Sequence, residues 1–264
     1  MLAVIRGAGD LASGIALRLI HSGIQVVMTD LALPLAIRRT VAFCEAIRLG
    51  KVTVEDITAV RAENAAEARQ LLAEGILPVL ADPEGNCIRE LHPDVVVDAI
   101  LAKKNLGTRI TDAPIVVGVG PGFTAGADCH AVVETMRGHT LGRTIYEGSA
   151  LPNTNIPGLI GGFAGERVLR APATGTFEAE LPIGAVVKTG DVAGWVNGQP
   201  MKCTIDGVLR GLIADGTQVR EGLKCGDVDP RGDVTYCRLV SDKALAIGGG
   251  VLEAILHFTA AGKR

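Results

Sequence analysis

Two hydrophobic periods alternate along the first half of the chain. Leu2-Ala3-Val4-Ile5 is a short, uninterrupted apolar run, and Ile15 to Ile20 places apolar residues on one face at helical spacing. Ile24 to Met28 is a second apolar run, and segments 76–80, 94–101 and 114–119 repeat the pattern. Runs that are short and apolar throughout suit parallel strands buried on both faces. Between them the pattern predicts a helix from Pro34 to about Leu49, closed by Gly50, and another from Asn64 to Glu74, closed by Gly75. This alternation over residues 1–147 predicts a Rossmann-like α/β domain, a mostly parallel sheet with helices on its faces.

Residues 148–167, rich in Gly, Pro and Asn, read as a crossing segment. Beyond it a repeat appears: Ala173-Thr174-Gly175-Thr176-Phe177, then Ile183-Gly184 to Lys188 and Gly190, match Ile205-Asp206-Gly207-Val208-Leu209, then Asp215-Gly216 to Arg220 and Gly222. Each unit is a short strand, a turn and a short strand. A duplicated unit of this kind over 168–240 resembles the lipoyl or biotinyl type of barrel-sandwich hybrid, a small all-β domain. Met201-Lys202 is not read as a biotin acceptor, because it lies too close to Gly207 and Cys203 replaces the usual second Met. Val234 to Val240 is predicted as a last strand. In the C-terminal segment 241–264, Gly248-Gly249-Gly250 then leads into a helix over 251–258.

Composition fits an aliphatic core and a frequently turning backbone: 48% of the 264 residues are hydrophobic, 3% are aromatic and 34 are glycine. The net charge of −3, with no basic block interleaved with aromatics, argues against nucleic acid as a partner. The apolar runs are short for a bilayer span and the chain opens directly on a strand, so no membrane and a cytoplasmic location are expected. Six scattered cysteines with no C-x-x-C spacing point to free thiols and no metal site.

The candidate chemistry gathers at predicted strand ends. Arg6-Gly7-Ala8-Gly9-Asp10-Leu11-Ala12-Ser13-Gly14 joins a buried strand to a helix, the form of a phosphate-binding turn. Gly7 and Gly9 bare the backbone, the helix begins near Asp10 and Leu11, and Ala12 allows close packing. Asp30, about 20 residues on, stands where ribose hydroxyls would lie. These residues predict a site for NAD or a related nucleotide. Gly118-Val119-Gly120-Pro121-Gly122 repeats the strand-into-glycine logic, and Asp98 precedes a polar cluster, Lys103-Lys104-Asn105. Asp128, Cys129 and His130 follow as catalytic candidates: a thiolate nucleophile, a sulfur or selenium carrier, or a proton shuttle. Neighbours on a strand face opposite ways, so Cys129 and His130 are not expected to pair, and a buried structural Cys is the alternative. The acidic run Asp227 to Asp233 reads as turns at a barrel rim.

Three blocks together carry a family resemblance: Gly-Ala-Gly-Asp-Leu-Ala-Ser-Gly from Gly7, Gly-Val-Gly-Pro-Gly-Phe-Thr-Ala-Gly-Ala-Asp-Cys-His from Gly118, and the tail from Leu169-Arg-Ala-Pro to Gly226-Asp-Val-Asp-Pro-Arg231. They resemble the YqeB-type accessory proteins of selenium-dependent molybdenum hydroxylases. The resemblance implies a nucleotide-binding maturation factor whose partner is the hydroxylase apo-enzyme and whose ligand is NAD or a nucleotide-bearing molybdenum cofactor. The alternative is a free-standing NAD-dependent oxidoreductase acting on a small molecule, with His130 or Lys103 as proton donor.

Overall fold

The computed structural model describes residues 1–154 and 156–261. They form two compact units: residues 1–34, 42–153 and 240–264 make the first, and 35–41 with 154–239 the second.

The first unit is built on one nine-stranded sheet. Its central strands are the apolar runs: β1 (Leu2–Arg6), β2 (Gln25–Thr29), β5 (Leu77–Leu80), β6 (Val95–Asp98) and β7 (Ile115–Val119). Around them lie the hairpin β3 (Lys51–Val54) and β4 (Ile57–Ala62), together with β9 (Ala131–Val133) and β10 (Thr144–Ile145). A separate two-stranded ribbon pairs β8 (Thr124–Ala125) with β11 (Gly148–Ser149). The helices are α1 (Asp10–His21), α2 (Glu45–Leu49), α3 (Ala65–Ala73), α4 (Cys87–Leu91) and α5 (Asp242–Ala261).

The strand order β10-β9-β7-β6-β1-β2-β5-β4-β3 corrects the Rossmann expectation. The sheet is mixed, since β3 and β10 run antiparallel to their neighbours. β5 lies between β2 and β4, and no helix covers the connection from β6 to β7 or from β7 to β9, so the sheet is not doubly wound. The apolar runs forecast buried strands but carry no record of their order, because any central strand buried on both faces reads alike.

α3 and α4 cover a core of Val4, Val27, Val96, Val116 and Val132. α3 starts at Asn64, whose side chain accepts the Glu67 N–H at 3.0 Å while Glu67 reaches back to the Glu63 N–H at 2.9 Å, a reciprocal cap. α1 and α5 pack on each other, and α5 also lies on β7, β9 and β10. Their crossing is close: a Cβ on Gly14 would stand 2.5 Å from the Ala244 Cβ, and one on Gly248 would stand 2.9 Å from the Gly14 carbonyl oxygen. The glycine triplet therefore sits inside α5 rather than leading into it. α5 is long and apolar enough, by length and composition alone, to cross a membrane.

The helix expected from Pro34 is realised only over Glu45–Leu49, because residues 35–41 join the second unit, where the Ile37 carbonyl accepts the Leu212 N–H at 2.8 Å. That unit contains β12 (Val168–Arg170), β13 (Gly175–Ala179), β14 (Val186–Val187), β15 (Val192–Val196), β16 (Gln199–Lys202), β17 (Gly207–Leu212), β18 (Gln218–Val219) and β19 (Lys224–Asp229). In place of a lipoyl-like barrel-sandwich hybrid, the described residues form two four-stranded antiparallel sheets, β12-β19-β17-β14 and β16-β15-β13-β18. The repeat explains the exchange. β14 of the first copy pairs with β17 of the second, and β18 of the second pairs with β13 of the first. Their shared core includes Phe177, Leu209, Leu212, Ile213 and Val228. Val234–Cys237 is a 3-10 turn rather than a strand, begun by Asp233, which accepts the Thr235 N–H at 2.9 Å.

Candidate functional site at the carboxyl edge of the sheet

Parallel pairing brings the carboxyl ends of the central strands into register. Arg6 lies opposite both Thr29 and Asp98, and Asp98 lies opposite Gly118. The glycine turn, Asp30, Asp98 and the second glycine run therefore share one edge.

The turn after β1 is tied to its neighbours. Gly7 takes φ +99, and a Cβ there would stand 2.7 Å from the Ala99 carbonyl oxygen, so glycine is required by backbone and neighbour alike. Its N–H donates to the Thr29 carbonyl at 2.8 Å. The next N–H, of Ala8, donates to Asp30 Oδ2 at 2.7 Å, and the Leu31 N–H donates to Asp30 Oδ1 at 2.7 Å. Both carboxylate oxygens are thus engaged by backbone, and burial raises the Asp30 pKa despite these two bonds. The Ala8 carbonyl accepts the Cys44 N–H at 2.9 Å, and Ser13 Oγ accepts the Phe43 N–H at 2.9 Å. Gly9 caps α1 with no side-chain bond, and the space where its Cβ would lie is open. Asp10 and Leu11 are partly exposed in the first turn of α1, and Ala12 is buried.

The second glycine run is filled by protein. A Cβ on Gly118 would meet the Phe123 ring at 2.5 Å, one on Gly120 would meet Thr135 Oγ1 at 2.9 Å, and one on Gly122 would meet the Lys104 Cα at 2.6 Å. These glycines serve close packing of the chain on itself. Between the two runs lies a buried cluster that the pattern of residues did not announce. Thr108 Oγ1 donates to Asp98 Oδ2 at 2.6 Å and accepts from Arg6 Nη1, which lies 3.6 Å from the same carboxylate oxygen. Arg6 Nη2 also donates to the Pro83 carbonyl at 3.2 Å. Burial raises the Asp98 pKa against the lowering effects of Thr108, the Ile100 N–H and Arg6. A charged residue closing an apolar strand was the available signal.

The catalytic candidates are equally engaged. Asp128 Oδ2 accepts the Thr124 N–H at 2.8 Å, and its Oδ1 lies 3.4 Å from Asn105 Nδ2. Cys129 is buried with its Sγ 3.9 Å from the Thr124 carbonyl, and burial pushes its thiol up to about 11, the opposite of an activated nucleophile. His130 donates its backbone N–H to the Val116 carbonyl at 2.8 Å and accepts the Val116 N–H on Nδ1 at 2.9 Å. The imidazole therefore completes a strand pairing, and burial lowers its pKa. Glu134, absent from the sequence reading, is buried and accepts the N–H groups of Thr135 and Met136 at 2.6 Å and of Leu151 at 2.8 Å. Among the described residues no group of three or more His, Cys, Asp and Glu is arranged to hold a metal ion.

No family model matches the chain. It is 52% identical over 255 residues to the uncharacterized protein YqeB of Escherichia coli (strain K12), a match that covers 97% of this chain and 47% of the relative. The chain thus spans about half the length of that curated relative. Among solved structures it is similar to an aspartoacylase family protein from Mesorhizobium loti, with a TM-score of 0.28 and 12% identity over 86% of this chain and 83% of that one. It is also similar to a succinylglutamate desuccinylase/aspartoacylase from Rhodobacter sphaeroides, with a TM-score of 0.26 and 17% identity over 86% and 85%. These neighbours carry hydrolase names, and TM-scores of this size lend no activity to the chain.

The expectation of a nucleotide-binding maturation factor, and with it the NAD-dependent oxidoreductase alternative, is corrected here. The edge is occupied by the fold's own contacts at the positions that the nucleotide reading invoked. Each Asp30 oxygen accepts a backbone N–H, from Ala8 and from Leu31, and the glycines from Gly118 to Gly122 are packed against Phe123, Thr135 and Lys104.

Proposed function

We propose that this chain is a docking component of the selenium-dependent molybdenum hydroxylase system, the role implied by its resemblance to YqeB-type accessory proteins. It acts by binding protein rather than by binding a nucleotide or performing chemistry. The observation that carries this reading is the engagement of Asp30, Asp98, Asp128, Cys129 and His130 within the fold. Asp30, Asp98, Asp128 and His130 each hold backbone or side-chain partners of the fold, and Cys129 is a buried, protonated thiol. The 52% identity to YqeB supports the kinship on which the partner rests.

The test expresses a selenium-dependent molybdenum hydroxylase in a host lacking YqeB, with and without this chain. Co-purification of the two proteins, and hydroxylase activity that falls when the chain is omitted, are expected. Full activity without the chain overturns the role. Calorimetric titration with NAD is expected to give no binding heat, and micromolar binding overturns the docking reading in favour of a ligand site.

A further inference from the structure

Three pairs of Asn or Asp followed by Gly occur in the chain, Asn197-Gly198, Asp206-Gly207 and Asp215-Gly216, all in the second unit. In each, the glycine nitrogen lies next to a side-chain carbonyl carbon that it can attack, and glycine has no Cβ to hinder the approach. The fold treats the three pairs differently. Asp206 Oδ1 accepts the Thr189 N–H at 2.8 Å and the Thr189 hydroxyl at 3.0 Å, while its Oδ2 accepts from Lys188 Nζ at 2.9 Å. Gly207 is held in the ladder opposite Val187, and a Cβ there would press on the Asp229 carbonyl oxygen. Asp215 Oδ1 accepts the Ala179 N–H at 2.8 Å, and the Gly216 N–H donates to the Phe177 carbonyl at 2.8 Å.

Asn197-Gly198 is the two-residue loop between β15 and β16, closed by the pairing of Val196 with Gln199. Asn197 takes φ 50 and Gly198 φ 73, both left-handed, as in a type I′ turn. Both residues are exposed, and nothing lies within 4 Å of a Cβ on Gly198. Among the described residues the Asn197 carboxamide has no hydrogen-bond partner, and the Gly198 N–H donates to no carbonyl. Electrophile and nucleophile are both unengaged at this pair, whereas the fold restrains the carboxylate and the glycine at each Asp-Gly pair. The uncharged carboxamide is also a better electrophile than an ionised carboxylate.

We propose that Asn197 is a site of spontaneous deamidation, a modification that the folded chain undergoes without an enzyme and that loosens the β15–β16 hairpin. The Gly198 nitrogen loses its proton to base and bonds to Asn197 Cγ; the Cγ–Nδ2 bond breaks, and Nδ2 leaves as ammonia. Water then opens the cyclic imide, and no electrons are transferred to or from the chain. Breaking the bond from nitrogen to Cγ gives aspartate, and breaking the bond from nitrogen to the backbone carbonyl carbon gives isoaspartate. Isoaspartate carries the main chain through Cβ and Cγ, adding a methylene to a loop whose two residues set the register of the strands. That register places Val196 opposite Phe177 and keeps Met201 in the buried core of the second unit. The proposal does not depend on the hydroxylase role.

The test incubates the folded chain and the chain unfolded in guanidinium chloride side by side at neutral and mildly alkaline pH, and then digests both with trypsin. Cleavage after Lys188, Lys202, Arg210 and Arg220 puts the three pairs on separate peptides, in which mass spectrometry and isoaspartyl methyltransferase labelling report conversion. In the folded chain, conversion at 197 is expected at a rate within about 10-fold of the unfolded rate, rising with pH and absent from Asn197→Ser. Isoaspartate at 206 and 215 is expected in the unfolded chain alone. Conversion at 197 slowed more than that by folding, or isoaspartate at 206 or 215 in the folded chain, overturns the assignment. Amides of β15 and β16 are expected to exchange hydrogen faster in the isoaspartate fraction than in fresh protein, and equal exchange overturns the loosening of the hairpin.

Discussion

His130 shows how one side chain can be catalytic in appearance and structural in use. Its Nδ1 lone pair is held by the Val116 N–H, so the ring proton of the neutral form lies on Nε2, and the imidazole packs edge-to-face with the Phe258 ring at 5.5 Å between centroids. Burial lowers the pKa below the ordinary value of 6.5, which means that the folded state binds a proton less readily than the unfolded chain. The stability from His130 is therefore complete above pH 6.5 and is lost as pH falls from there through the folded-state value. His130→Gln keeps an acceptor for Val116 and removes the titration. Urea unfolding at pH 7.5, 6.0 and 5.0 is expected to show the wild type losing ground to the variant as pH drops. Parallel pH curves for the two proteins would refute the assignment.

At the scale of elements, the helical glycines Gly14 and Gly249 differ in what a side chain would meet. Adding a methyl at Gly14 presses on Ala244 at the crossing of α1 and α5, where the neighbouring atoms include backbone. Gly14→Ala is expected to destabilise by about 1–2 kcal/mol, overpacking outweighing the gain in helix propensity. Gly249→Ala meets open space and is expected to stabilise by about 0.5–1 kcal/mol. Denaturant midpoints of the two variants should move in opposite directions, and a shift in the same direction would contradict the packing described. The same contrast marks what the sequence made legible. The strands β1, β2, β6 and β7, the helices α1 and α3 and the 32-residue offset between Gly175 and Gly207 follow from local periodicity and caps. Strand order, the loss of 35–41 from a predicted helix and the filling of the Gly118 run depend on contacts between residues remote in sequence. Periodicity is blind to these. Gly118 and Gly9 look alike in a sequence, yet one glycine faces a phenyl ring and the other faces open space.

At the scale of the whole molecule, α5 is the last helix in the chain but part of the first unit's core. The first unit is assembled from three segments, and α5 lies in the third, 240–264, while the second unit contains no residue of it. Ending the chain after Leu239 would leave every strand in place yet remove Ala244, Ile247, Val251, Ala254 and Ile255, all fully buried. At about 1.5–3 kcal/mol for each of the three large side chains and less for the alanines, the loss is roughly 6–10 kcal/mol. That is comparable with the 5–15 kcal/mol that typically holds a domain together. The truncation also uncovers the face of α1 that surrounds Gly14 and removes the bond from the Val240 N–H to Glu55 Oε1 at 2.8 Å. Hydrogen exchange on residues 1–239 is therefore expected to show collapse of amide protection across β1, β2, β6 and β7, with the two four-stranded sheets of the second unit keeping theirs. Protection retained in the nine-stranded sheet would show that the helix is an appendage and that the core closes without it.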